Sequence, residues 1–97
     1  MQLHEGCELE YRRRHDAIWP ELAELLRETG IREYSIFLDE HTLKLFAVLQ
    51  IEDAAKLDRL PGQPVMRRWW DHMKDLMETN ADGSPVVVGL EEMFYLP

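Results

Sequence analysis

Tyr11, His15 and Trp19 follow one another at intervals of four residues in the segment Tyr11-Arg12-Arg13-Arg14-His15-Asp16-Ala17-Ile18-Trp19-Pro20-Glu21-Leu22. On a helix, side chains at i and i+4 meet, so the phenol and the imidazole share one face. A histidine near its ordinary pKa is partly protonated close to neutrality and can both give and take protons. The plain alternative is a half-buried histidine satisfied by a tyrosine hydroxyl. Pro20 favours the chemical reading, because a proline frees backbone groups and opens space one turn from His15. A second aromatic group is Trp69-Trp70. Neighbours on a helix point about 100° apart, so one ring goes under the helix and the other lies at its edge. The edge ring is either an ordinary boundary tryptophan or a stacking wall for a sugar or another flat apolar face. Tyr34, taken alone, reads as a sheet-surface aromatic. Together these residues point to proton transfer on a small polar ring held between aromatic walls.

Other chemistries lack their residues. His72 and Asp75 have the i, i+3 spacing of a metal pair, but no His-x-x-x-His spacing or cysteine cluster accompanies them, so no metal is expected. There is no glycine-rich phosphate loop and no serine in a nucleophile elbow, and Cys7 lacks the signature of a nucleophile. The chain carries 19 acidic and 11 basic residues, a formal charge of −8. Its basic runs, Arg12 to Arg14 and Arg67-Arg68, make no footprint for nucleic acid. Glu8 and Glu10 also precede Arg12 and Arg14 by one helical turn, in the favoured order for ion pairs. One cysteine permits no intrachain disulfide and fits a reducing, cytoplasmic setting. Neither a long apolar run nor a signal segment is visible, so a soluble protein without membrane contact is expected.

The 97 residues are read as a single α+β domain spanning 1–97. A domain this small buries about 60–65% of its unfolded surface, which favours self-association. Glu8 to Thr29 is periodic, with Tyr11, His15, Ile18, Leu22, Leu25 and Leu26 on one stripe. Pro20 should kink or restart this helix, and Gly30 should end it. Residues 31–38 read as a strand, 39–42 as a hairpin turn and 43–51 as the partner strand. In that partner Leu43, Leu45, Ala47, Leu49 and Ile51 form one face, with Phe46 and Val48 on the other. A strand with one wet face should alternate apolar and polar residues. Here both faces are apolar, so helices should cover one and another subunit the other. Asp53 to Arg59 reads as a short helix. A second main helix from Pro64 carries Met66, Trp69, Trp70, Met73, Leu76 and Met77. Residues 79–85 are loop, and Val86 to Leu96 read as extended. Antiparallel strands with two helices on one side suggest a ferredoxin-like sandwich. That fold wants a strand before the first helix, and only Met1-Gln2-Leu3 stands ahead of His4. The first strand is therefore very short, or the native start lies upstream of Met1.

With Tyr-x-x-x-His-x-x-Ile-Trp-Pro-Glu-Leu in place, the chain resembles the L-rhamnose mutarotase family. The likeness extends through Tyr34-Ser35-Ile36-Phe37-Leu38-Asp39, Arg68-Trp69-Trp70 with Met73, Asn80-Ala81-Asp82-Gly83-Ser84-Pro85-Val86 and Phe94-Tyr95-Leu96-Pro97. The order and spacing of these separated blocks make the signal specific. The resemblance implies a ferredoxin-like protomer that pairs sheet to sheet into a dimeric α/β barrel. It implies a cytoplasmic homodimeric isomerase that interconverts the α and β anomers of L-rhamnose without metal or cofactor. It also implies that His15 is the catalytic histidine, that Tyr11 and Tyr34 bind the sugar, and that Trp69 and Trp70 are the family's tryptophan pair. The chain departs from the family pattern in front of the first helix, where most of a strand is missing.

Anomer exchange opens the ring hemiacetal to the aldehyde, rotates the carbonyl and recloses. A general acid accelerates such a step by about 10²–10⁴-fold. The expectation is that protonated His15 donates to the ring oxygen, that a tyrosine or water handles the anomeric hydroxyl, and that Tyr11 orients His15 or bonds a sugar hydroxyl. One tryptophan packs the sugar's apolar face. Two other readings compete: a cofactor-independent monooxygenase-like enzyme on the same barrel, and a non-catalytic sugar-binding module.

Overall fold

The computed structural model describes all 97 residues. The first helical stretch is two helices, α1 (Glu8–Asp16) and α2 (Pro20–Glu28). Pro20 is the first residue of α2 and Trp19 caps it in an extended conformation, so the proline restarts the helix as its missing N–H and fixed φ require. Gly30, with φ +90°, then turns the chain into the sheet. A side chain on Gly30 would meet Glu52 Oε2 at 3.2 Å, so the position needs glycine for its space as well as its backbone.

Strands β1 (Ile31–Asp39) and β2 (Lys44–Ile51) pair antiparallel, with Phe37 opposite Phe46 and Leu38 opposite Leu45. Leu43, expected in the second strand, sits instead in the turn with φ +61°. The register jumps between Arg32 and Ser35, and Glu33 within that bulge has φ +51°. A 3₁₀ helix covers Ala54–Gly62, running through Leu60 to Gly62 where a break was expected. Helix α3 spans Pro64–Met73. It is shorter than expected: Leu76 lies in the turn that follows it and Met77 in the extended stretch beyond, and both are buried. Met77 bridges Leu3, and the Glu78 N–H donates to the Gln2 carbonyl.

The short segment before α1 is thereby held on both sides. Gln2 bridges Lys44, and the Leu3 N–H donates to the Leu43 carbonyl. The regular sheet is two-stranded, and single-residue bridges extend it through residues 1–3 to residues 77–79. The architecture is thus a small α+β domain. Its core joins Leu3, Tyr11, Leu22, Leu45, Met66, Trp69, Met73, Leu76 and Met77, drawn from all three α-helices, β2 and the segments that flank α1 and α3. The other sheet face is uncovered in the single chain. Phe37, Phe46 and Val48 are 59%, 40% and 60% exposed. The segment from Val86 onward forms no strand, and its apolar residues Val87, Val88, Leu90, Met93, Phe94, Tyr95 and Leu96 are exposed as well.

Candidate active site

Helix α1 presents Tyr11 and His15 one turn apart, and their rings stack with centroids 4.4 Å apart and planes at 29°. Tyr11 is buried, whereas His15 is half-buried. The helix dictates one ring contact more than the spacing promised. His15 Nδ1 lies 3.1 Å from the Tyr11 carbonyl oxygen. A carbonyl only accepts, so Nδ1 carries the proton and the neutral ring keeps Nε2 as an acceptor. Nε2 has no hydrogen-bond partner in the chain.

Helix α3 supplies the wall. Trp69 is 6% exposed. Its ring stands edge-on to His15 at 5.4 Å and 89°, and edge-on to Trp19 at 5.1 Å and 86°. Trp70 is half-buried and faces a cleft, with no aromatic partner. The pair therefore divides as the 100° step between neighbours requires. Trp69 packs edge-on against His15, and Trp70 is left open to the cleft. Tyr34 stands in the β1 bulge, where it and Glu33 together oppose Leu49. It keeps 44% of its surface exposed. Tyr11, His15, Tyr34, Trp69 and Trp70 all border one open cleft of about 2030 Å³, which runs on past the sheet to the base of the C-terminal segment.

Burial sets the electrostatics. It pushes the Tyr11 phenol well above its ordinary range, with Tyr34 adding to the effect, and it raises Tyr34 too. Both phenols are therefore protonated donors at neutral pH. Burial lowers His15 below 6.5, against the smaller opposing pull of the Tyr11 carbonyl and of Asp16. The resting imidazole is neutral, which differs from the protonated donor expected at the outset.

The contacts that reach across to α3 and the turn after it were not visible in the sequence. Trp19 joins the site through Trp69 and lies 5.4 Å from the His72 ring. His72 and Asp75 do not form a metal pair: the Asp75 carboxylate is taken by Arg14 at 2.9 Å. The expected Glu10–Arg14 pair is present at 3.7 Å, with Arg13 also on Glu10 and Asp75, just beyond α3, also on Arg14, whereas Glu8 and Arg12 form no ion pair. Contacts between residues about 60 positions apart leave no spacing signal. Only the odd conjunction of an arginine run beside a histidine could have drawn attention to Arg14.

An imidazole acceptor, two phenol donors and an indole wall border one open cleft, an arrangement that suits an acid–base enzyme. Residues 1–96 match the sequence model of the L-rhamnose mutarotase family. An L-rhamnose mutarotase of Brucella anthropi is 55% identical over 97 residues, covering 100% of this chain and 92% of that protein. One from Burkholderia ambifaria is 57% identical over 96 residues, covering 99% and 92%. The crystal structure of an L-rhamnose mutarotase from Formosa agariphila superposes with a TM-score of 0.92 at 43% identity, over 100% of this chain and 93% of that one. The chain belongs to the L-rhamnose mutarotase family, a family of sugar isomerases.

Proposed function

We propose that this protein interconverts the α and β anomers of L-rhamnose, with His15 as the catalytic base. The observation that carries the reading is the His15 imidazole, tied at Nδ1 to the Tyr11 carbonyl and open at Nε2. In the ring-opening step Nε2 takes the proton of the anomeric hydroxyl. The electrons of that O–H bond form the aldehyde C=O, the bond between C1 and the ring oxygen breaks, and the ring oxygen takes a proton from water in the open cleft. Rotation about the C1–C2 bond presents the other carbonyl face. Closure reverses the transfers: imidazolium returns its proton to the carbonyl oxygen as the ring hydroxyl attacks and loses its own to water. A positioned base contributes about 10²–10⁴-fold. Tyr11 and Tyr34, protonated throughout, donate hydrogen bonds to the sugar. Trp70 packs the apolar face and the 6-methyl group, as an indole suits.

The protomer works as a homodimer in this reading. A continuous exposed patch of Phe37, Phe46 and Val48 is more than a monomer of this size ordinarily leaves to water. The apolar C-terminal segment adds to it, and a second copy would narrow a cleft far larger than a monosaccharide needs. Sheet-to-sheet pairing would give the ferredoxin-like dimeric barrel. The bridges that set residues 1–3 between β2 and residues 77–79 support that strand order. A cytoplasmic location belongs to the same reading and is supported by the lone free cysteine, which suits a reducing compartment.

Saturation-difference proton NMR on the anomeric resonances of L-rhamnose tests the proposal. Magnetisation should pass between the α and β signals only with catalytic protein present, and His15→Ala should abolish it while the fold survives. Folded protein that gives no transfer with rhamnose would overturn the reading.

A further inference from the structure

Four of the five residues assigned above sit on two helices that do not follow one another in sequence. Tyr11 and His15 ride on α1, whereas Trp69 and Trp70 ride on α3. Their relative rotation decides whether the Trp69 edge meets His15 and how far that imidazole is buried. Aromatic contacts alone hold such an angle loosely, because edge-on rings tolerate tilting. One polar link spans the gap. Arg14, adjacent to His15, reaches from α1 to the end of α3. Its Nη1 donates to the His72 carbonyl and to Asp75 Oδ1 at 2.9 Å, and its Nη2 donates to Asp75 Oδ2 at 3.2 Å.

This is a two-pronged fork on a carboxylate, with a third bond to a carbonyl of the last helical turn. A planar guanidinium fixes direction as well as distance in such an arrangement. The carbonyls at the end of α3 have no partner within their helix, and the negative end of the dipole favours a cation there. The Arg14 side chain is only 14% exposed, while Asp75 is 62% exposed. Glu10 stands 3.7 Å from Arg14 Nε on the same helix and cannot tie it to α3. The arginine stem thus lies in the seam, and its head locks the far helix.

We propose that Arg14 is a positioning residue of the isomerase site: its fork on Asp75 and the His72 carbonyl fixes α1 against α3, and so holds His15 at the Trp69 edge. The catalytic part of this inference rests on the function proposed above, and the positioning part does not. Any loosening of the seam lets water reach His15. A shift of the reacting group by about 1 Å can cost as much as 100-fold in rate.

The test uses Arg14→Lys and Asp75→Ala, read first by NMR titration of the His15 imidazole. Lysine keeps the charge and loses the fork, so its effect is geometric. Removing Asp75 takes away an anion, and by charge alone that would lower a neighbouring imidazole. Looser packing acts in the opposite sense. Both variants should therefore raise the His15 pKa, by about half a unit or more, toward its ordinary value. In the anomer-exchange assay both should lower kcat about tenfold with KM changed less than twofold. Arg14→Lys should retain more activity than Arg14→Gln. A His15 titration that matches the native protein in both variants overturns the proposal and leaves Arg14 as a stabilising contact only. Native protein without exchange activity would overturn the functional reading, while the titration would still decide the positioning.

Discussion

Separate replacement of Trp69 and Trp70 by alanine should split stability from substrate binding. Trp69 is 6% exposed and meets three rings, those of His15, Trp19 and His72. Truncating a buried tryptophan costs about 3–5 kcal/mol. A domain of this size is stable by about 5–15 kcal/mol, and each kcal/mol moves Tm by about 4–8 °C. Trp69→Ala should thus lose roughly 16–32 °C, taking about 4 kcal/mol as the cost. Trp70 is half-buried at the cleft and has no ring partner, so its removal should cost about 1 kcal/mol, or roughly 4–8 °C. Its effect belongs in binding. Losing one aromatic contact of about 1.4 kcal/mol with the sugar raises KM about tenfold. Differential scanning calorimetry and NMR exchange at graded rhamnose concentrations read the two effects apart. The division of labour would be refuted if Trp70→Ala kept the native KM, or if Trp69→Ala proved the more stable of the two.

The remaining expectations are shorter. His15 is lowered by burial, so between its folded pKa and about 6.5 the unfolded chain binds more protons. Its contribution to stability is complete above 6.5 and fades as pH falls through that window, and His15→Gln should flatten this part of the Tm-against-pH curve. The same group should give kcat/KM an acid limb below pH 6.5, with a plateau above it, measurable by NMR exchange from pH 5 to 8. Phe46→Glu puts a charge in the exposed sheet patch and should yield a monomer by analytical ultracentrifugation under conditions where the native protein should sediment as a dimer. Gly30→Ala combines a positive φ with a 3.2 Å approach to Glu52 and should cost about 1–2 kcal/mol in urea unfolding.

Local chemistry was readable from the chain where one residue dominates. Pro20 announced the restart of α2, Gly30 its end, and the four-residue spacing put Tyr11 against His15. The even alternation of Leu45 with Phe46 and Val48 foretold a two-faced strand. Leu76 and Met77 misled because burial in a helix and burial in a turn or extended segment give the same apolar run. What separates them is Leu3, a partner more than seventy residues away. The electrostatics of His15 were out of reach of the sequence for a similar reason. Spacing fixes neighbours on the helix, while desolvation depends on α3 lying over them. The choice between Trp69 and Trp70 also waited on the rotation of α3.

The bridged segment at residues 1–3 has a kinetic consequence. The β1–β2 hairpin closes over a few residues, and such hairpins form in about 1–10 μs. Residues 1–3 must instead find a strand 44 positions away and the end of α3, 71 positions from His4. Closing long loops is slow, because the chain loses entropy before any contact repays it. Docking of this short segment, with α1 drawn in behind it, is therefore expected late. The His15 imidazole would reach its pocket only at the end, and refolding followed by return of activity should lag behind hairpin formation followed by backbone signals.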